Sequence, residues 1–296
     1  MMNGRKKYQR RQFERDQEIY IGTKYISTSI KADQIMFRCN KPAQYAVKPD
    51  FTLEIVPYSD MYLTVVFGNT TPVQVRAKAG IAYPIESTLT EMDDTAVLIY
   101  AASRIQALND LSACYIHDND FSKATKLSTL IIGNNTTGYT NTFLTSLHLG
   151  DNGLLTTLDI RNCPNLNEPL NLSKCYNLTT LNASNTSLTT ISFPVGGKLT
   201  TAILPATLTN LTVNSLKNLS NLNIAGYDNL TIFYCKDTNN INPLAIVQET
   251  IDTLNEVTVL GLEWTLNDDD FSLLENIMSK SVSMLSGTIH TNLRVR

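Results

Sequence analysis

His117-Asp118-Asn119-Asp120 puts an imidazole and two carboxylates within four positions, donor types that a metal ion accepts. No second cluster has ligand spacing, and the calcium-loop pattern D-x-[DN]-x-[DN]-G is absent. Turn chemistry, which Asp and Asn serve readily, is therefore the expectation at 117–120. Asn267-Asp268-Asp269-Asp270 reads in the same spirit as a helix cap. The two remaining histidines are His148 and His290. His148 alternates with Leu147 and Leu149 in "SLHLG", so it faces outward from a strand. The five cysteines, Cys39, Cys114, Cys163, Cys175 and Cys235, are odd in number and form no CxxC pair. They read as buried free thiols of a protein made in a reducing cytoplasm. No GxSxG, P-loop, HExxH or GxGxxG constellation occurs. The chain is read as a non-enzyme, with no catalytic, cofactor-binding or metal-ligating residue expected.

If chemistry is sparse, the elements that would position it carry the information. The chain has 296 residues, enough for two modest domains, with 43% hydrophobic and 17% charged residues. A net charge of -3 argues against a nucleic-acid surface spread over the whole molecule. No apolar run approaches the roughly 18 to 20 residues that span a bilayer. Polar Gln, Arg and Glu follow the first basic residues, so export by a signal at this terminus is not expected.

Apolar residues recur on the pattern L-x-x-L-x-φ, where φ is apolar. Leu144-Leu147-Leu149, Leu155-Leu158-Ile160, Leu178-Leu181-Ala183, Leu188-Ile191-Phe193 and Leu199-Ala202-Leu204 all fit. Leu208-Leu211-Val213, Leu219-Leu222-Ile224 and Leu230-Phe233-Cys235 continue the series. With the weaker Leu170 included, the central positions are spaced 11, 12, 11, 10, 11, 9, 11 and 11 residues apart. Two units make one turn of a solenoid, a short parallel strand on one side and an extended or 3₁₀-like return on the other. Thr suits half-buried pleated positions, and Asn side chains bond backbone groups at corners. Residues 127–242 hold 22 leucines, too many for a disordered polar tract.

In "LLTTLDIRNCPNL", Leu155, Leu158, Ile160, Cys163 and Leu166 match the motif of the leucine-rich repeat family, which this array resembles. "FLTSLHLGDNGL" carries Leu144, Leu147, Leu149 and Asn152 in the same frame. Leu108-Leu111-Ala113 and Leu127-Leu130-Ile132 extend the array upstream, with "GNNTTGYTN" (133–141) as a loop insertion. Thr186, Leu216 and Tyr227 replace the motif's Asn/Cys, so no regular asparagine ladder is expected. The expected repeat core is Leu111, Leu130, Leu147, Leu158, Leu181, Ile191, Leu211, Leu222 and Phe233.

The flanks differ in texture. "YISTSI", "QIMFRC", "FTLEIVPY", "MYLTVVFG", "PVQVRAKAG" and "TAVLIYAA" predict six or seven short strands in an antiparallel sandwich or barrel over 21–103. Such a domain would cover the first coil of a solenoid over 104–242. "NPLAIVQETIDTL", "EVTVLGLEW" and "NDDDFSLLENIMSK" read as helix, strand and helix, a βα cap over 243–296. The ending "SGTIHTNLRVR" is strand-like without a polar stop, which predicts that the fold continues in a longer chain or a partner. Residues 1–20 are a basic arm, read either as a solvated tail or as a segment that docks on an acidic partner surface, with Arg5, Lys6, Lys7, Arg10 and Arg11 as its candidate docking residues. The fold class expected is thus α+β, mainly β.

"DTAVLIYAASRIQALNDLSACYIHDNDFSKATKLSTLIIGN" (94–134), which joins the β-rich region to the first repeats, resembles leucine-rich-repeat proteins of tailed bacteriophages and related prophages. That resemblance implies a virion structural component (tail, baseplate or head fibre) assembled in the host cytoplasm. It implies other virion proteins as partners, as a homo-oligomer or in a larger symmetric assembly. The Thr/Asn/Ser face, with Tyr139, Tyr176 and Tyr227 as candidate anchors, either contacts a host-surface protein or glycan or is simply solvated; no cofactor and no specific nucleic acid is expected. A bacterial surface adhesin and an intracellular interaction scaffold are the alternative readings of the same repeat.

Overall fold

A computed structural model describes residues 33–40, 52–87, 94–111, 115–133, 140–219, 221–222, 232–236 and 256–260. All of these except Asp33 belong to one compact unit, Gln34–Arg296. The protein is mainly β. Among the described residues the helical content is a single 3₁₀ turn, Ala102–Arg104. The helices expected within 243–254 and 267–280 lie outside the described residues, as do "YISTSI" and the basic arm.

Among the described residues six strands precede residue 101, each where alternation or a β-branched run places it. β1 (Gln34–Cys39) buries Ile35, Phe37 and Cys39 on one face, the period-2 pattern of a half-covered strand. β2 (Thr52–Pro57), β3 (Met61–Phe67), β4 (Val73–Ala77), β5 (Tyr83–Glu86) and β6 (Thr95–Tyr100) follow. β3 and β4 form a hairpin whose turn starts at Gly68, at φ +55°, a conformation that glycine adopts without strain. With β8 (Ile116–Asp120) they build a five-stranded antiparallel sheet in the order β4-β3-β6-β1-β8. β2 pairs antiparallel with β5 on one side and with β7 (Ile105–Asp110) on the other.

β7 is the junction of the fold. It pairs antiparallel with β2 and parallel with β9 (Thr129–Ile131). From there β10 (Thr157–Asp159), β12 (Thr180–Asn182), β14 (Thr201–Ile203) and β16 (Asn221–Leu222) stack in parallel register. One eight-stranded sheet thus runs from the antiparallel region into a β-solenoid of about four turns without a break.

The return sides are strands as well, more regular than the expected extended or 3₁₀-like segments. β11 (Leu170–Asn171) pairs with β13 (Ile191–Ser192), and an isolated parallel bridge, Thr190 to Asn210, leads on to β15 (Asn210–Asn214). β15 pairs with β17 (Ile232–Lys236), and β17 with β18 (Glu256–Leu260). The eleven-residue spacing is therefore the step from one sheet to the other. Leu158, Leu181, Ala202 and Leu222 share one sheet, while Leu170, Ile191, Leu211 and Phe233 belong to the opposite side.

Leu130, Leu158, Leu181, Ile191 and Leu211 are buried in a single apolar cluster that spans the described unit, and Leu147 packs half-buried against it. Leu111 is buried too, but the residue in register with Leu130 is Leu108, which sets the first spacing at 22 residues rather than 19. Leu108 and Leu111 both fit the L-x-x-L frame, and only strand pairing distinguishes them. Sharp corners close six of the half-turns: the amides of Leu127, Leu155, Leu166, Leu178, Leu208 and Leu219 donate to the carbonyls of Ala124, Asn152, Cys163, Cys175, Pro205 and Leu216, three residues back. The residue at the accepting position is buried and variable, which matches the absence of a regular asparagine ladder. Thr186 does there what Asn152 does: its hydroxyl donates to Ala183 O at 2.9 Å, as Asn152 Nδ2 donates to Leu149 O.

Candidate functional site: the hydroxyl face of the solenoid

The tetrapeptides Leu127-Ser-Thr-Leu130, Leu155-Thr-Thr-Leu158, Leu178-Thr-Thr-Leu181 and Leu199-Thr-Thr-Ala202 repeat one sentence of sequence. Their second residues form an internal ladder. Ser128 Oγ donates to Gln106 O at 3.1 Å, and Thr156 Oγ1 to Ser128 O at 2.8 Å. Thr179 Oγ1 donates to Thr156 O at 3.0 Å, and Thr200 Oγ1 to Thr179 O at 2.9 Å. The backbone N–H of each residue donates to the same carbonyl. Each of these four coils is thus held to the preceding segment by a side chain and a main-chain donor at one point, which fixes register.

Their third residues form an external rank. Thr129, Thr157, Thr180 and Thr201 are neighbours across four consecutive parallel strands. Thr180 is exposed and the other three are half-buried. Neighbouring strands lie about 4.8 Å apart, so the rank covers about 14 Å along the solenoid axis. Among the described residues no side-chain hydrogen bond engages these four hydroxyls.

Two residues further along each strand stand Ile131, Asp159, Asn182 and Ile203. The two polar members are used by the fold. Asp159 Oδ1 accepts from Arg161 N at 3.1 Å, and the Asp159 carboxylate pairs with the Arg161 guanidinium at 2.5 Å. That hydrogen bond holds the Arg161 pKa above its ordinary value, so the face carries a closed ion pair rather than a free charge. Asn182 Oδ1 accepts from Ser184 N at 3.1 Å and from Ser184 Oγ at 2.8 Å. Asn171 and Asp120 end their strands with the same side-chain turn, bonding Ser173 N and Ser122 N.

The corners leading into these strands carry exposed apolar groups. Leu154 and Tyr176 sit on successive turns and are 44% and 50% exposed. One turn earlier, Lys126 Nζ lies 5.3 Å from the centre of the Tyr58 ring, a cation–π pair.

His117-Asp118-Asn119-Asp120 is not a turn. It is strand β8, with a bulge: Met36 pairs with Asp120 but Arg38 pairs with His117, and Asp118 takes up the irregularity at φ 39°. His117 Nε2 lies 3.4 Å from Asp94 Oδ1 and its Nδ1 lies 3.7 Å from Asp118 Oδ2. Arg38 Nε reaches Asp94 Oδ1 at 2.5 Å, which holds the Asp94 carboxyl below its usual range. Among the described residues no three His, Cys, Asp or Glu side chains are gathered as metal ligands. Asn119 is structural. It is buried between β8 and the next coil, donating to Ser146 O at 2.8 Å and accepting from His148 N at 2.9 Å.

His148 is exposed. Cys39, Cys163 and Cys175 are buried free thiols, and burial pushes Cys163 up to about 12 and Cys175 up to about 11. Arg5, Lys6, Lys7, Arg10 and Arg11, Cys114, Tyr139, Tyr227, the 267–270 acidic run and His290 lie outside the described residues, as do the side chains of Leu222, Phe233 and Cys235. The sequence does not show the role of Asn119 between β8 and the next coil, nor that of Asn141, whose Nδ2 donates to Ile116 O at 3.0 Å while Oδ1 accepts from Phe143 N. Asn141 does stand three residues before Leu144, the position that Asn152 and Cys163 hold before Leu155 and Leu166, whereas nothing local reports the partners of Asn119. The hydroxyl rank did have a signal, the fourfold L-[ST]-T, which reads as composition until the coils are aligned.

Among the described residues no helix is long and apolar enough to cross a membrane. No protein-family model matches the chain, and no curated protein and no solved structure matches it.

Proposed function

We propose that this chain is a non-enzymatic recognition scaffold of a tailed-bacteriophage virion, a tail, baseplate or head-fibre component. The observation that carries the recognition half is the rank Thr129, Thr157, Thr180 and Thr201: uniform, neutral, in register, and unused by the fold. A stacked parallel sheet presents such side chains at a fixed pitch, which is what an extended binding face requires. The virion half is supported by the resemblance of residues 94–134 to phage leucine-rich-repeat proteins, in which a β-sandwich-like domain precedes an irregular repeat array. On this reading a βα cap closes the array, and the basic arm with Arg5, Lys6, Lys7, Arg10 and Arg11 docks on an acidic surface of another virion protein. The chain then works as a homo-oligomer or inside a symmetric assembly.

The test is mass spectrometry of purified particles. Peptides of this chain at stoichiometric abundance are the expected result, and their absence from particles sinks the virion assignment.

A further inference from the structure

We infer that the sheet containing Thr129, Thr157, Thr180 and Thr201 binds a linear, uncharged polysaccharide laid along the solenoid axis. This rests on the recognition half of the function proposed above and is independent of the virion half. The shape of the site selects the ligand's dimensionality. The free hydroxyls form one rank across four strands, while the neighbouring positions Ile131, Asp159, Asn182 and Ile203 are chemically mixed and partly consumed by turns. A single rank matches a linear polymer and does not match a two-dimensional lattice or a broad protein epitope.

The chemistry selects the class. A threonine hydroxyl both donates and accepts, as a sugar hydroxyl does, and its γ-methyl offers an apolar contact to ring C–H groups. The rank carries no charge, and Asp159, the one acidic residue two positions along from it, is closed in an ion pair with Arg161. The step of about 4.8 Å between strands is close to the length of one pyranose ring in an extended chain. At the corner feeding the same strands, exposed Tyr176 and Leu154 add apolar surface on two successive turns. A tyrosine ring can lie against a sugar face while its hydroxyl stays in water.

The experiment uses the full chain and a panel of neutral oligosaccharides (malto-, cello-, chito- and xylo-series, two to eight residues long). Binding is measured by titration calorimetry and by chemical-shift mapping of the threonine methyls. At least one series should bind, with affinity rising with length up to about four residues, the extent of the rank. Thr157→Val with Thr180→Val removes two hydroxyls from solvent-facing strand positions and should weaken binding about tenfold or more. Ser192→Ala, on the exposed face of the opposite sheet, should leave binding unchanged. The methyl shifts of Thr129, Thr157, Thr180 and Thr201 in the unsubstituted chain report the same contact without relying on a variant that folds.

Failure of every series at millimolar concentration overturns the inference. So does undiminished binding by the double variant, methyl shifts confined to other residues, or a preference for anionic polymers that salt abolishes. The last outcome would place binding on lysines instead. Glycan binding by a chain absent from particles would refute the virion assignment and leave this one standing.

Discussion

Replacing Leu181 with alanine tests whether the coils are a packed core or a loose stack. Leu181 is fully buried in β12, paired with Leu158 on one side and Ala202 on the other. Removing its distal atoms sacrifices transfer free energy and leaves a void whose cost depends on how far the surroundings collapse. Collapse is resisted here. The residues two positions upstream are pinned, because Thr179 donates to Thr156 O from both hydroxyl and amide, and Thr200 does the same to Thr179 O. The neighbour Ala202 has no side-chain length with which to fill the space. The cost should therefore fall in the middle to upper part of the range for buried leucines, about 3 to 4 kcal/mol. For a unit of this size that lowers the melting temperature by roughly 5 to 8 °C. Urea unfolding followed by circular dichroism reads both the midpoint and the slope. A slope that falls with the midpoint would mean that coils part company before the whole unit unfolds. A loss below about 1 kcal/mol at unchanged slope would refute the buried, pinned placement of Leu181.

Three further outcomes are expected. Asn119→Ala strands Ser146 O and His148 N between β8 and the next coil, and should cost about 1 to 3 kcal/mol in the same assay, with little recovery in Asn119→Asp, which keeps the acceptor and loses the donor. Iodoacetamide at pH 8 should leave Cys163 and Cys175 unmodified in the native chain and label both in urea, because burial raises the two thiols to about 12 and about 11; peptide mapping showing rapid native labelling of either would contradict their burial. The Asp94 carboxyl is held below its unfolded value by Arg38, so the pair's stabilisation is present above about pH 4 and is lost as pH falls through the folded value. The group is exposed and the gain correspondingly small, so the check is comparative: Asp94→Asn should flatten the acid limb of the stability profile slightly, and 1 M salt should remove most of the difference.

The repeat was legible in the sequence because burial leaves a periodic imprint: a residue that must face the core every half-turn has to be apolar every eleven positions. Which strand neighbours which was less legible. Leu108 and Leu111 satisfy the same local frame, and the choice between them is made by pairing with Leu130, 22 residues from the correct partner. The strand at His117 to Asp120 is hidden in the sequence for a related reason. Asp and Asn are common in turns, but they also tolerate the irregular backbone of a bulge, and a strand at the margin of a sheet can hold them if their side chains replace ladder bonds, as Asn119 does. The hydroxyl rank was visible as L-[ST]-T but silent about its use. Bonds such as Thr156 Oγ1 to Ser128 O join residues 28 positions apart, and no local pattern reports a partner that far away.

The internal hydroxyl ladder has a consequence for how such a chain can change size. Each coil brings its own connector, a Ser or Thr that needs nothing from the coil before it except a backbone carbonyl, which every residue possesses. A coil duplicated in the gene would arrive already able to dock on its parent and to receive its own copy in turn. The junction at β7 would be untouched, because it meets only the first coil. The length of the array is then a quantity that recombination can adjust one coil at a time while the rest of the molecule stays as it is.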